Sequence, residues 1–156
     1  MYEKEIDRIL KSLLQGKGAA GSNIDINIEK LLTFSLKQIS VGYDSALYLA
    51  GFRSGASFAK GLGVHDSEKL KKNMEQMFSR SGMGLAEITG MAPLTMKVDK
   101  SSTCYGIQTA EKPICFFKAG FFAGAVSEVQ GKKVACIETK CHAKGDKHCE
   151  FQINVQ

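Results

Sequence analysis

The chain has 156 residues, a formal net charge of +5 and five cysteines, which is enough chain for one domain with its own hydrophobic core. Its lysines are scattered in small groups, with no arginine-rich stripe and interleaved aromatics, so solvated lysine faces are expected and nucleic-acid binding is not. No run approaches the roughly 20 apolar residues of a membrane span, and Glu3, Glu5 and Asp7 interrupt the place of a secretory h-region, so a cytoplasmic protein is expected.

Ile6, Ile9, Leu10, Leu13 and Leu14 recur at helical spacing and predict an amphipathic helix over 2–15, closed by Gly16, Gly18 and Gly21. Asp25 or Asn27 can cap a second helix whose buried stripe would be Ile28, Leu31, Leu32, Leu36 and Ile39. A third helix is expected over 44–61, where Gly51, Gly55 and Ala59 allow a neighbour to approach closely. Asp66 suits an N-cap, and Leu70, Met74, Met77 and Phe78 follow at helical spacing up to Gly82.

The period then changes. Residues 84–91 and 94–98 read as strands joined around Pro93, and 101–112 reads as irregular. From Pro113, residues 114–129 form a segment apolar nearly all round, hence a buried helix ended by Gly131. Residues 132–139 and 148–155 alternate as strands around a polar turn with Gly145 and Asp146. The sum is a single α+β domain over 1–156, with an antiparallel four-stranded sheet packed with helices.

The last hairpin gathers metal-ligand residues: Cys136, Glu138, Cys141, His142, Asp146, His148 and Cys149. In a reducing compartment, an odd number of cysteines points to metal or catalysis before disulfides. Thiolates with a carboxylate suit zinc. The hairpin holds more donors than a tetrahedron needs, and no paired C-x-x-C selects among them. Cys104 stands apart and reads as a small apolar residue.

The stretch CFFKAGFFAGAVSEVQGKKVACIETKCHAKGDKHCEF resembles the 4-vinyl reductase domain family. That pattern has a cysteine opening a glycine-bearing apolar helix, then E-x-x-C, a Gly-Asp turn and C-x-F. Here it falls on Cys115, Gly120, Gly124, Glu138, Cys141, Gly145, Asp146, Cys149 and Phe151. YLAGFRSGASFAKGLG is similar to the family's upstream helix, so the resemblance runs from about Tyr43 onward. It implies the ligand-binding fold of haem-nitric-oxide and Golgi-transport proteins. It also implies one structural Zn2+ on Cys115, Glu138, Cys141 and Cys149, a closed set with no open position for water.

The family further implies a sensory or regulatory module for a small hydrophobic or aromatic ligand beside the zinc hairpin. Met74, Phe78, Met91, Phe117 and Phe121 are the candidate pocket residues. A reductase acting on a tetrapyrrole vinyl group is the enzymatic alternative, weakened by the closed metal set and the lack of a G-x-G-x-x-G loop. A structural or assembly subunit is the third reading. A homodimer is expected, with the N-terminal helix over 1–16 as its extension.

Overall fold

A computed structural model of the chain describes residues 8–9 and 26–156. The helix expected over 2–15 lies outside these, apart from Arg8 and Ile9, which are helical. Helices α1 (Ile26–Ile39), α2 (Tyr43–Leu62) and α3 (Ser67–Arg80) precede strands β1 (Leu85–Met91) and β2 (Leu94–Asp99). Helix α4 (Phe116–Gln130) and strands β3 (Val134–Lys140) and β4 (Cys149–Val155) follow.

Start signals act as their chemistry dictates. The Asp66 carboxylate accepts the Glu68 N–H at 3.2 Å and caps α3. Gly131, at φ 63°, takes the left-handed conformation that ends α4. Leu70, Met74, Met77 and Phe78 form the buried stripe of α3, as their spacing predicts.

The stripe expected to be buried on α1 is instead exposed: Ile28, Leu31, Leu32 and Ile39 are between 61% and 81% accessible. Periodicity identifies an apolar face without saying what covers it. The opposite face of α1 meets the domain. Lys30 donates to the Tyr105 carbonyl, Phe34 packs on the core, and Lys37 pairs with Asp44 at 2.8 Å.

The sheet has order β1-β2-β4-β3, and every neighbour is antiparallel. Alternation turns Met96, Val98, Val134, Cys136, Cys149, Phe151 and Ile153 to a buried face covered by α3 and α4. Lys97, Glu150 and Gln152 fall on the other face and stay partly exposed.

Helix α2 packs on the back of α4, and glycines set that contact. A Cβ at Gly51 or Gly55 would stand 2.0 Å from the Phe117 or Phe121 carbonyl oxygen. One at Gly120 or Gly124 would stand 1.9 Å from the Tyr48 or Phe52 carbonyl oxygen. The two backbones therefore touch along a reciprocal seam that no larger residue fits. On the sheet side, Phe78 stacks on Phe122 at 4.9 Å, and Phe122 meets Phe151 edge-on at 5.2 Å. Helix α4 is thus covered on both sides, which is why it is apolar nearly all round.

Candidate metal centre and cavity

Four short-range decisions bring sulfur to one point. Cys115 immediately precedes α4, Cys141 follows β3, and Cys149 opens β4. Cys104 sits in the irregular loop before α4, held by a turn in which its N–H donates to the Ser101 carbonyl at 3.0 Å. The Cys104 Sγ lies 3.1 Å from that of Cys115 and 3.6 Å from those of Cys141 and Cys149. Cys115 and Cys149 are 3.8 Å apart. All four residues are 0–1% accessible, and none forms a disulfide.

Glu138 joins them because the alternation that buries Val134 and Cys136 turns it to the same face. Its Oε2 accepts the Cys115 N–H at 2.8 Å, while its Oε1 is buried without a hydrogen-bond partner. The ligand atoms of Cys104, Cys115, Glu138, Cys141 and Cys149 all lie within 4.8 Å of one another. An orphaned carboxylate oxygen among buried thiols is a donor set suited to a soft divalent cation, and the cluster can hold a metal ion.

Crowding divides the thiols electrostatically. Hydrogen bonding from Cys115 lowers Cys104 to about 7, and hydrogen bonding from Cys104 drives Cys141 far below the ordinary thiol range. Contact with Cys104 pushes Cys115 and Cys149 up. Burial raises Glu138 to about 8. A cation among these groups would favour release of the protons they retain.

Other hairpin residues shape the turn and contribute no donor to the group. Asp146 accepts the Cys141 N–H at 2.8 Å, and the His142 Nδ1 lies 2.9 Å from the Asp146 carbonyl. His148 faces Glu150 at 3.8 Å. Cys136 is buried further along β3, and burial pushes its thiol up.

Two features escape the sequence reading. Cys104, read there as an isolated apolar residue, has its thiol inside the cluster. Lys118, only 2% accessible, donates to the hydroxyls of Ser101 at 2.8 Å, Thr103 at 2.9 Å and Ser102 at 3.4 Å. A lysine within an apolar helix, preceded by a Ser-Ser-Thr run that ends in cysteine, was the available signal.

The chain also encloses a cavity of about 340 Å³ between α3, the β1–β2 hairpin, the end of α4 and the end of β4. Leu70, Met74, Ile88, Leu94, Val126 and Ile153 supply apolar wall. Of the predicted pocket residues, Met74 is in this wall and Met91 at its exposed edge. Phe78 and Phe121 instead close the aromatic core, with centroids 5.7 Å apart, and Phe117 packs partly buried against the core. The cavity is not beside the cysteine hairpin. At about 1.5 Å per residue, Val126 stands about 17 Å along α4 from Cys115.

Residues 94–155, from β2 to β4, match the family model of the vinyl-4-reductase (V-4-R) domain. The chain belongs to the 4-vinyl reductase domain family. A family relative in structure is a vinyl-4-reductase family protein from Methanocaldococcus jannaschii, with TM-score 0.70 and 20% identity over 100% of this chain and 96% of that one. The phenol-responsive sensory domain of the transcription activator PoxR, solved with phenol, has TM-score 0.65 and 19% identity over 83% of this chain and 74% of that one. A trafficking protein particle complex subunit 3 from Naegleria fowleri, covalently bound to palmitic acid, has TM-score 0.56 and 15% identity over 99% and 96%. These likenesses bear out the expected fold, a four-stranded antiparallel sheet packed with helices. Among the described residues, no helix is long and apolar enough to cross a membrane.

Proposed function

We propose that this 4-vinyl reductase domain binds a small apolar ligand and acts in sensing or regulation, with a structural zinc fixing one end of the fold. The observation that carries the reading is the cavity of about 340 Å³, a size at the lower end of small-molecule sites. Its wall of Leu, Met, Ile and Val gives dispersion contacts and little directional bonding, which suits an aromatic or aliphatic compound. The shared fold of a phenol-responsive sensory domain supports the same class of ligand.

Cys115, Cys141 and Cys149 supply three thiolates to the zinc. Glu138, implied by the family resemblance, and Cys104, present in the cluster, are the candidates for the fourth position. Either choice fills a tetrahedron and leaves no place for a substrate, so the ion organises structure. A reducing, cytoplasmic setting would keep these thiols unpaired. The exposed Ile28, Leu31, Leu32 and Ile39 supply an apolar face for a homodimer, and size-exclusion with light scattering on Leu32→Glu tests it: a monomer is expected from a dimeric parent.

Titration with phenol and longer apolar probes, followed calorimetrically, tests the binding reading. Met74→Trp fills the cavity and is expected to weaken binding by at least about tenfold, equivalent to about 1.4 kcal/mol, with metal content unchanged. No binding by the parent protein to any probe would sink it.

A further inference from the structure

We propose that Cys104 is a ligand of the metal, so that four thiolates, from Cys104, Cys115, Cys141 and Cys149, hold the ion while Glu138 stays outside its coordination sphere. The inference rests on the reading of the cluster as a zinc centre and changes which residues make it.

The sulfur positions carry it. Zn–S bonds of about 2.3 Å at tetrahedral angles place sulfurs about 3.8 Å apart. Cys104 lies 3.1 Å, 3.6 Å and 3.6 Å from the other three sulfurs, and Cys115 lies 3.8 Å from Cys149. Cys104 thus stands at a vertex of the tetrahedron. A residue that merely fills space would not need its sulfur against three others at separations this close to coordination geometry.

The loop around Cys104 is built to hold that vertex. The Ser101 carbonyl accepts the N–H groups of Cys104 and Tyr105, both at 3.0 Å, and the Cys104 carbonyl accepts the Ile107 N–H at 2.9 Å. The Lys118 ammonium gathers the three hydroxyls immediately before Cys104 and lies within the helix that Cys115 opens. One buried side chain therefore ties the Cys104 loop to the Cys115 end of α4. The ammonium also offsets charge. A divalent ion on four thiolates carries two excess negative charges, and Lys118 lies one hydroxyl away, with the Ser101 Oγ 3.7 Å from the Cys115 sulfur.

Glu138 is then the fifth donor for an ion that takes four. Thiolate is the softer ligand, and the Glu138 Oε2 is already engaged by the Cys115 amide. Its work is to orient Cys115 from outside the sphere.

Zinc X-ray absorption on the full chain, reconstituted with one zinc, tests this without any substitution. Four sulfurs at about 2.3 Å are expected; three sulfurs with one oxygen would overturn the proposal and leave the zinc reading intact. A parent chain that retains no zinc against a moderate chelator would overturn both. Cys104→Ser should lower the sulfur count to three and weaken zinc by more than about 100-fold, beyond the span usual for an outer partner. Glu138→Gln should keep four sulfurs and stay within about 100-fold. The reverse ranking of these two variants also overturns it.

Discussion

The two ends of helix α4 solve opposite problems. At its start, Cys115 and Lys118 face a closed knot of thiols, hydroxyls and a carboxylate, where polar groups find one another inside the protein. At its finish, Val126, Val129 and Gln130 border open volume, and the neighbouring side chains leave space unfilled. Between them, Phe121 and Phe122 are packed solid against Phe78 and Phe151. The contrast teaches that one buried helix serves two sites without merging them. Rigidity is concentrated at the start, adaptability at the finish, and both depend on the same middle.

The strongest way to break that arrangement is to attack what both ends share. Gly124→Val would place a Cβ 1.9 Å from the Phe52 carbonyl oxygen, which neither backbone can evade without the helices parting. A loss of about 3 kcal/mol or more is expected in urea denaturation, with metal retention and probe binding failing together. Gly61→Ala is the control: nothing lies within 4 Å of its Cβ, and removing a helical glycine should raise stability by up to about 1 kcal/mol. Loss of only one of the two sites in Gly124→Val would mean that the seam does not support both.

A smaller and more local effect should follow metal removal. The hydrophobic core does not pass through the cluster, so stripping zinc with a strong chelator should loosen residues 100–104 and 138–149 and spare 126–130 and 151–155. Hydrogen exchange read by mass spectrometry checks this. The pH sign is set by the ligands: thiolates must lose protons to bind, so affinity falls on acidification and recovers as pH rises. Exchange that quickens equally at the cavity end would show the two sites to be coupled.

Much of this was legible in the residues. Period change at residue 84, the turn at Pro93, the Asp66 cap and the all-round apolarity of α4 follow from local chemistry, and the glycines at 51 and 55 announced a close approach that occurs. What was not legible depends on distance in space. Cys104 lies in a loop without periodicity, so nothing local placed its sulfur beside Cys141, 37 residues on. The α1 stripe has the right spacing for burial, yet Lys30, Phe34 and Lys37 on the other face dock the helix. Phe78, Phe117 and Phe121 resemble pocket residues by type, but whether a phenylalanine lines a space or fills one depends on neighbours from other elements. Only Met74 and Met91, among the five predicted, stand at the cavity.

The smallest expected effect marks the boundary of the metal end. Cys136 shares the inward face of β3 with Glu138, yet lies two residues further from the turn, about 7 Å along a strand. It pairs with Ile153 and is 3% accessible, and its backbone N–H donates to the Tyr48 hydroxyl at 3.1 Å. That bond survives any change of side chain. Burial holds its thiol neutral, so it behaves as a small apolar group filling space between α4 and the sheet. Cys136→Ala should therefore cost about 1 kcal/mol through the small void it leaves, read as a modest drop in Tm, and zinc should remain at one per chain. Loss of zinc from this variant would move the boundary of the cluster along β3 and place Cys136 among the groups that hold the ion.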